Sequence, residues 1–160
     1  MKIKPELHRL SIKNPLHWLA VGFGSGLSPK APGTFGSLAA IPFFYLLQQL
    51  PMPAYLTLVT LAFVVGVWAC QAATDAIGVE DHGAIVWDEF VGMWITCIAL
   101  PSGFWWIVAA FVTFRFFDIL KPWPIRWFDN NCHGGFGIMI DDVVAGFISF
   151  VVIQLVCFVV

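Results

Sequence analysis

The chain has 160 residues, 59% of them hydrophobic and only 11% charged, whereas typical soluble domains are about 45–50% apolar and about 25% charged. A mean hydropathy of +0.84, with 16 Phe and 8 Trp, excludes a conventional water-facing globule, and the length suits one domain. The net charge is −2, and no nucleic-acid partner is expected.

Residues 1–13 are basic, as at the start of a signal peptide. The segment that follows is broken by Asn14 and Pro15, a run of glycines, Pro29 and Pro32, so it lacks an apolar core with a cleavage site. It is expected to be retained, lying against anionic lipid head groups. Residues 1–36 thus read as a basic N-terminal segment and glycine-rich loop, and residues 37–160 as a helical bundle within the same single domain.

Charge is absent from residues 31–74, 90–114 and 143–160, runs of 44, 25 and 18 residues. A bilayer-spanning helix needs roughly 20 apolar residues. Pro51 and Pro53 divide the first run, since proline lacks a donor and disfavours helix in the residue before it. Pro101, Ser102 and Gly103 make a second break. Five helices are expected, at about 37–50, 54–74, 85–100, 104–120 and 138 to the C-terminus. The fold class is all-α, a compact integral membrane bundle with some helices short or re-entrant. Helix 37–50 has 14 residues and contains Pro42, so spanning and re-entrant forms both stay open. If the first four helices pair as two hairpins, all eight Lys and Arg residues fall on one side, which marks that side as cytoplasmic. Cys70, Cys97, Cys132 and Cys157 are scattered singly, without metal-type pairing.

Nine of the ten acids fall between residues 75 and 142. Asp75, Glu80, Asp81, Asp88 and Glu89 form one block; Asp118, Asp129, Asp141 and Asp142 form another. Carboxylates packed without cations repel, and a divalent cation resolves that. The pairs Asp88-Glu89 and Asp141-Asp142 each sit between apolar runs. Favourable interaction with a helix N-terminus explains one such pair, but two pairs leading into lipid point to function. Arg115, Asp118 and Lys121 share a helix face by their spacing of three. A plain ion pair with a snorkelling Lys, and a metal-binding Asp118 flanked by two phosphate-binding cations, are both compatible with that spacing. The glycine-rich segment has no Walker A or dinucleotide pattern, yet it offers backbone N–H groups for an anion. Carboxylates, cations and a glycine loop at a membrane surface together suggest metal-assisted phosphoryl chemistry on a lipid head group.

Four blocks, GFGSGLSPKAPGTFGSLAAIP, HGAIVWDEFVGMWIT, FRFFDILKPWPIRWFD and HGGFGIMIDDVVAG, resemble in sequence and order the signature blocks of bacterial phosphatidylglycerophosphatase A. The resemblance covers nearly the whole chain. It implies a multi-pass, Mg²⁺-dependent lipid phosphatase of the bacterial inner membrane that converts phosphatidylglycerophosphate to phosphatidylglycerol and phosphate on the cytoplasmic face. It singles out Asp88, Glu89, Arg115, Asp118, Lys121, Asp141 and Asp142, with Lys30 and Thr34 as phosphate contacts. On this reading Glu89, Asp118, Asp141 and Asp142 hold one or two Mg²⁺ ions, and Asp88 is a ligand or supports them. Arg115, Lys121 and Lys30 neutralise developing charge. Direct attack by water and a covalent aspartyl-phosphate both remain open. Trp87, Trp123 and Trp127 are expected at head-group depth. Membrane lipids are the expected surroundings, and homo-oligomerisation is left open. The rival classes are a cation channel or transporter with a carboxylate site and a CDP-alcohol phosphotransferase, whose spaced aspartate–glycine–alanine–arginine motif is absent. A soluble bundle with a large oligomer interface is the rival to the membrane assignment. The membrane assignment predicts that the protein stays in the pellet when vesicles are washed in alkaline carbonate; extraction without detergent would refute it.

Overall fold

A computed structural model describes residues 5–11 and 13–159. The expectations for residues 1–4, including Lys2 and Lys4, lie outside the described residues, as do residues 12 and 160. Among the described residues there is no strand. The helices are α1 (Pro15–Ala20), α2 (Pro32–Leu47), α3 (Met52–Ile77), α4 (Trp87–Thr96), α5 (Phe104–Leu120), α6 (Ile125–Asn131) and α7 (Gly134–Val159), with 3-10 turns at Pro5–Arg9 and Gly22–Leu27.

Local chemistry sets most of these limits. Asn14 caps α1 by accepting a hydrogen bond from the Leu16 N–H, and Pro15 occupies the first helical position, where its missing donor costs nothing. Pro32 opens α2 in the same way. Gly78, at φ 77°, closes α3 in the left-handed conformation that glycine adopts without strain. Helix α2 therefore begins five residues earlier than expected and takes in part of the glycine-rich segment, and it continues through Pro42. The short helices α1 and α6 have no counterpart in the sequence expectations.

Helices α3 and α7 have 26 residues each, about 39 Å at 1.5 Å per residue. They are long and apolar enough to cross a membrane. Helix α4, with 10 residues, is about 15 Å long and too short to do so. It is instead buried at every position, as befits a helix apolar nearly all round. Helix α7 packs on α3, α4, α5 and α6, while α2 lies chiefly against α4 and not in a hairpin with α3. Covering α4 from all sides requires this arrangement.

Polar tips cross-link the apolar core. The Trp94 indole donates to the Ala40 carbonyl at 3.0 Å, Trp87 donates to the Ala62 carbonyl at 3.0 Å, and the Tyr55 hydroxyl donates to the Trp94 carbonyl at 2.6 Å. Trp87, expected at head-group depth, is buried within the bundle and stacked on Phe90. Its indole donor finds a carbonyl in the interior, so it has no need of a wet surface. Trp123 and Trp127 are exposed.

The exterior is more apolar, and the interior holds more carboxylates, than in a typical water-soluble protein. Leu61, Trp68, Trp105, Phe147 and Leu155 are exposed, while Asp88, Glu89, Asp141 and Asp142 are buried. Helices α4 and α7 cross at two glycines. A Cβ on Gly146 would stand 2.5 Å from the Gly92 carbonyl oxygen, and one on Gly92 would stand 2.6 Å from the Phe114 ring. Gly146→Val is therefore expected to lower stability by about 1–3 kcal/mol through overpacking, seen as a reduced thermal midpoint in detergent.

Candidate active site

The N-terminal turn of α4, the C-terminal turn of α5 and the first half of α7 bring their acids to one end of the bundle. Asp88, Glu89 and Asp142 each offer a carboxylate oxygen, and the three oxygens lie within 4.8 Å of one another. Asp118 reaches the side chain of Asp142 from α5. One oxygen each of Asp88, Glu89 and Asp142 is buried without a hydrogen-bond partner. Those oxygens are not spent on capping α4, although both α4 acids stand in its first turn.

Arg115 is the counter-charge beside this trio. It forms an ion pair with Asp118 and stands 3.8 Å from Glu89. Its Nε is buried without an acceptor. A single guanidinium does not neutralise four clustered carboxylates, and unpaired buried charges are costly. An all-oxygen donor set of this kind suits a hard divalent cation.

Asp141 faces elsewhere, because consecutive residues of an α-helix point about 100° apart. Its Oδ2 accepts from Lys121 Nζ at 2.6 Å, and Lys121 also donates to Asp129 Oδ1 at 2.5 Å. Helix α5 ends at Leu120, and Lys121 adopts the left-handed conformation at φ 42°, which takes its side chain out of register with Arg115 and Asp118. Burial works to lower the Lys121 pKa, but Asp141 and Asp129 outweigh it and hold the ammonium above its ordinary range. The other Asp141 oxygen is buried without a partner.

The beginning of α2 completes the site. Ala31 precedes it in the left-handed conformation and provides no side-chain cap. A Cβ on Gly33 would collide with Glu89 Oε1 and stand 3.1 and 3.2 Å from the two terminal guanidinium nitrogens of Arg115. Only a glycine lets the uncapped helix end approach these side chains so closely. Such an end presents free N–H groups to an anion.

The phosphatidylglycerophosphatase A family model matches residues 18–157. The chain belongs to this family. It is 62% identical to phosphatidylglycerophosphatase A of Escherichia coli K12 over 88% of this chain and 83% of that one. It is 54% identical to the Haemophilus influenzae protein of the same name, over 92% and 91%. A Bacteroides thetaiotaomicron relative named putative phosphatidylinositol-3-phosphatase is 44% identical over 84% and 89%. No solved structure matches.

Within this family member, Asp88, Glu89, Arg115, Asp118 and Asp142 come together, whereas Asp141 and Lys121 form an adjoining cluster with Asp129. Thr34 lies half-buried in the first turn of α2, one residue beyond Gly33, and Lys30 is exposed before it. Glu80 ties its loop to the start of α7 by accepting from the Gly134 N–H at 2.8 Å, and Asp75 accepts from Gln71 at 2.8 Å. The sequence placed Asp129 in the second acid block and Gly33 in the glycine-rich segment, but spacing gave no partner for either. Lys121→Met would leave Asp141 without its partner. It is expected to cost about 1–3 kcal/mol, read as a lower thermal midpoint that Asp141→Asn in the same chain partly restores.

Proposed function

We propose that this protein hydrolyses the terminal phosphomonoester of phosphatidylglycerophosphate, giving phosphatidylglycerol and inorganic phosphate, with Mg²⁺ as cofactor at the cytoplasmic face of the bacterial inner membrane. The observation that carries the reading is the trio Asp88, Glu89 and Asp142, packed oxygen to oxygen beside Arg115. Family membership and relatives at 62% and 54% identity favour phosphatidylglycerophosphate as the substrate over the inositol lipid in the name of the 44% relative. Two 26-residue apolar helices and an outer surface rich in Leu, Phe and Trp support membrane residence.

Asp88, Glu89 and Asp142 would hold the cation, with Asp118 beside them. Magnesium bound there supplies Lewis-acid polarisation of the phosphoryl oxygens. The chain's own groups do the remainder. Arg115, held by Asp118 and carrying an unpartnered Nε, would offset charge that builds on the equatorial oxygens. The N–H groups at the start of α2 bind a further phosphoryl oxygen and hold the phosphorus in line for attack. Lys121 is engaged with Asp141 and Asp129; in this scheme it fixes α7 against α5 and does not bind the phosphate. A channel or transporter has no use for Arg115 and a helix N-terminus converging on the same acids.

In detergent, the purified protein is expected to release phosphate from phosphatidylglycerophosphate, and chelation of divalent ions is expected to stop it. Asp142→Asn and Glu89→Gln should each lower kcat by more than ~100-fold, the upper range for loss of an outer-shell partner. No release by the wild type, or variants that retain its rate, would refute the assignment.

A further inference from the structure

The substrate assigned above carries two phosphates, the monoester to be cleaved and the phosphodiester joining glycerol to the lipid. The acid trio and Arg115 account for the first only. A second cleft lies between the turn after α5 and helix α6, lined by Lys121, Trp123, Arg126, Trp127 and Asn130 among others. Lys121 connects the two places, since its ammonium reaches Asp141, the α7 residue adjacent to Asp142. Lys121 is itself balanced by Asp129 and Asp141. Arg126, by contrast, is exposed and has no carboxylate within ion-pair distance among the described residues. It is therefore the cation of this cleft that remains available to an anion. The indoles of Trp123 and Trp127, 83% and 53% exposed, flank it, and exposed indoles favour the head-group layer of a membrane.

We propose that this cleft seats the phosphodiester of the substrate's own head group, with Arg126 as its ligand and the two indoles against the adjoining lipid, while the glycerol bridges to the acid trio. The inference rests on the proposed function. It makes Arg126 a residue that selects for a lipid bearing a second, internal phosphate. A guanidinium suits the task because it donates two parallel hydrogen bonds to a phosphate.

The test uses the full chain in neutral detergent micelles that contain no other phospholipid. For Arg126→Gln, KM for phosphatidylglycerophosphate is expected to rise at least about tenfold, the effect of losing charge-assisted hydrogen bonds to the phosphate, with kcat within twofold of wild type. Inhibition by phosphatidylglycerol, which has the diester but no monoester, should weaken to a similar degree. Inhibition by inorganic phosphate should stay unchanged. Arg126→Lys should recover part of the loss, and the thermal midpoint should not move. An unchanged KM, an equal loss of inhibition by inorganic phosphate, or a KM effect that emerges only when the measurement is repeated in anionic vesicles would overturn the proposal, the last by showing attraction to the membrane surface in general. Wild-type protein that releases no phosphate would instead refute the proposed function, so the two failures are distinguishable.

Discussion

Four carboxylates buried in a bundle with an apolar exterior set the terms for the rest of the structure. Each such group carries a large desolvation cost unless a counter-charge or a cation stands beside it. Helix α7 meets this demand by dividing its two consecutive acids. Asp142 joins the acids of α4 and α5, while Asp141 faces the ammonium of Lys121, which also holds Asp129 of α6. The same arrangement separates two tasks: one cluster of carboxylates suits a cation, and its neighbour, with Lys121 shared between Asp129 and Asp141, ties α5, α6 and α7 together.

Much of this organisation was legible in the sequence because charge is so scarce. In a chain with 18 charged residues, the intervals between charges outline the long helices, and the clusters mark the candidate site. The pairs Asp88-Glu89 and Asp141-Asp142 stood out for that reason. Patterns of this kind do not specify three-dimensional direction. Lys121 is three residues from Asp118, which suggests a shared helix face, but a left-handed residue at the end of α5 turns its side chain toward α7 and α6. Trp87 has the composition of an interfacial residue, yet a carbonyl on α3 satisfies its indole inside the core. The length of α4 was also hidden. Its apolar run continues to Leu100 in the sequence, whereas the helix stops at Thr96.

The glycine-rich segment shows the complementary case. Read as a string, it is a set of turns with a lysine. In the fold, its second half is the opening of α2, and the one position without a side chain that matters most, Gly33, is where the helix end meets Glu89 and Arg115. Its value to the site is the space it leaves, which no count of donors or charges registers.

The crossing of α4 and α7 at Gly92 and Gly146 has a further consequence. Each glycine lies four residues after an acid of the trio, Asp88 and Asp142 respectively, so backbone contact occurs about one turn below the carboxylates. The spacing of α4 and α7 at the acids is thus set by main chain pressed against main chain, with the Phe114 ring packed beside it. Carboxylates whose helices are spaced by main-chain contact need little reordering of backbone when a ligand binds between them.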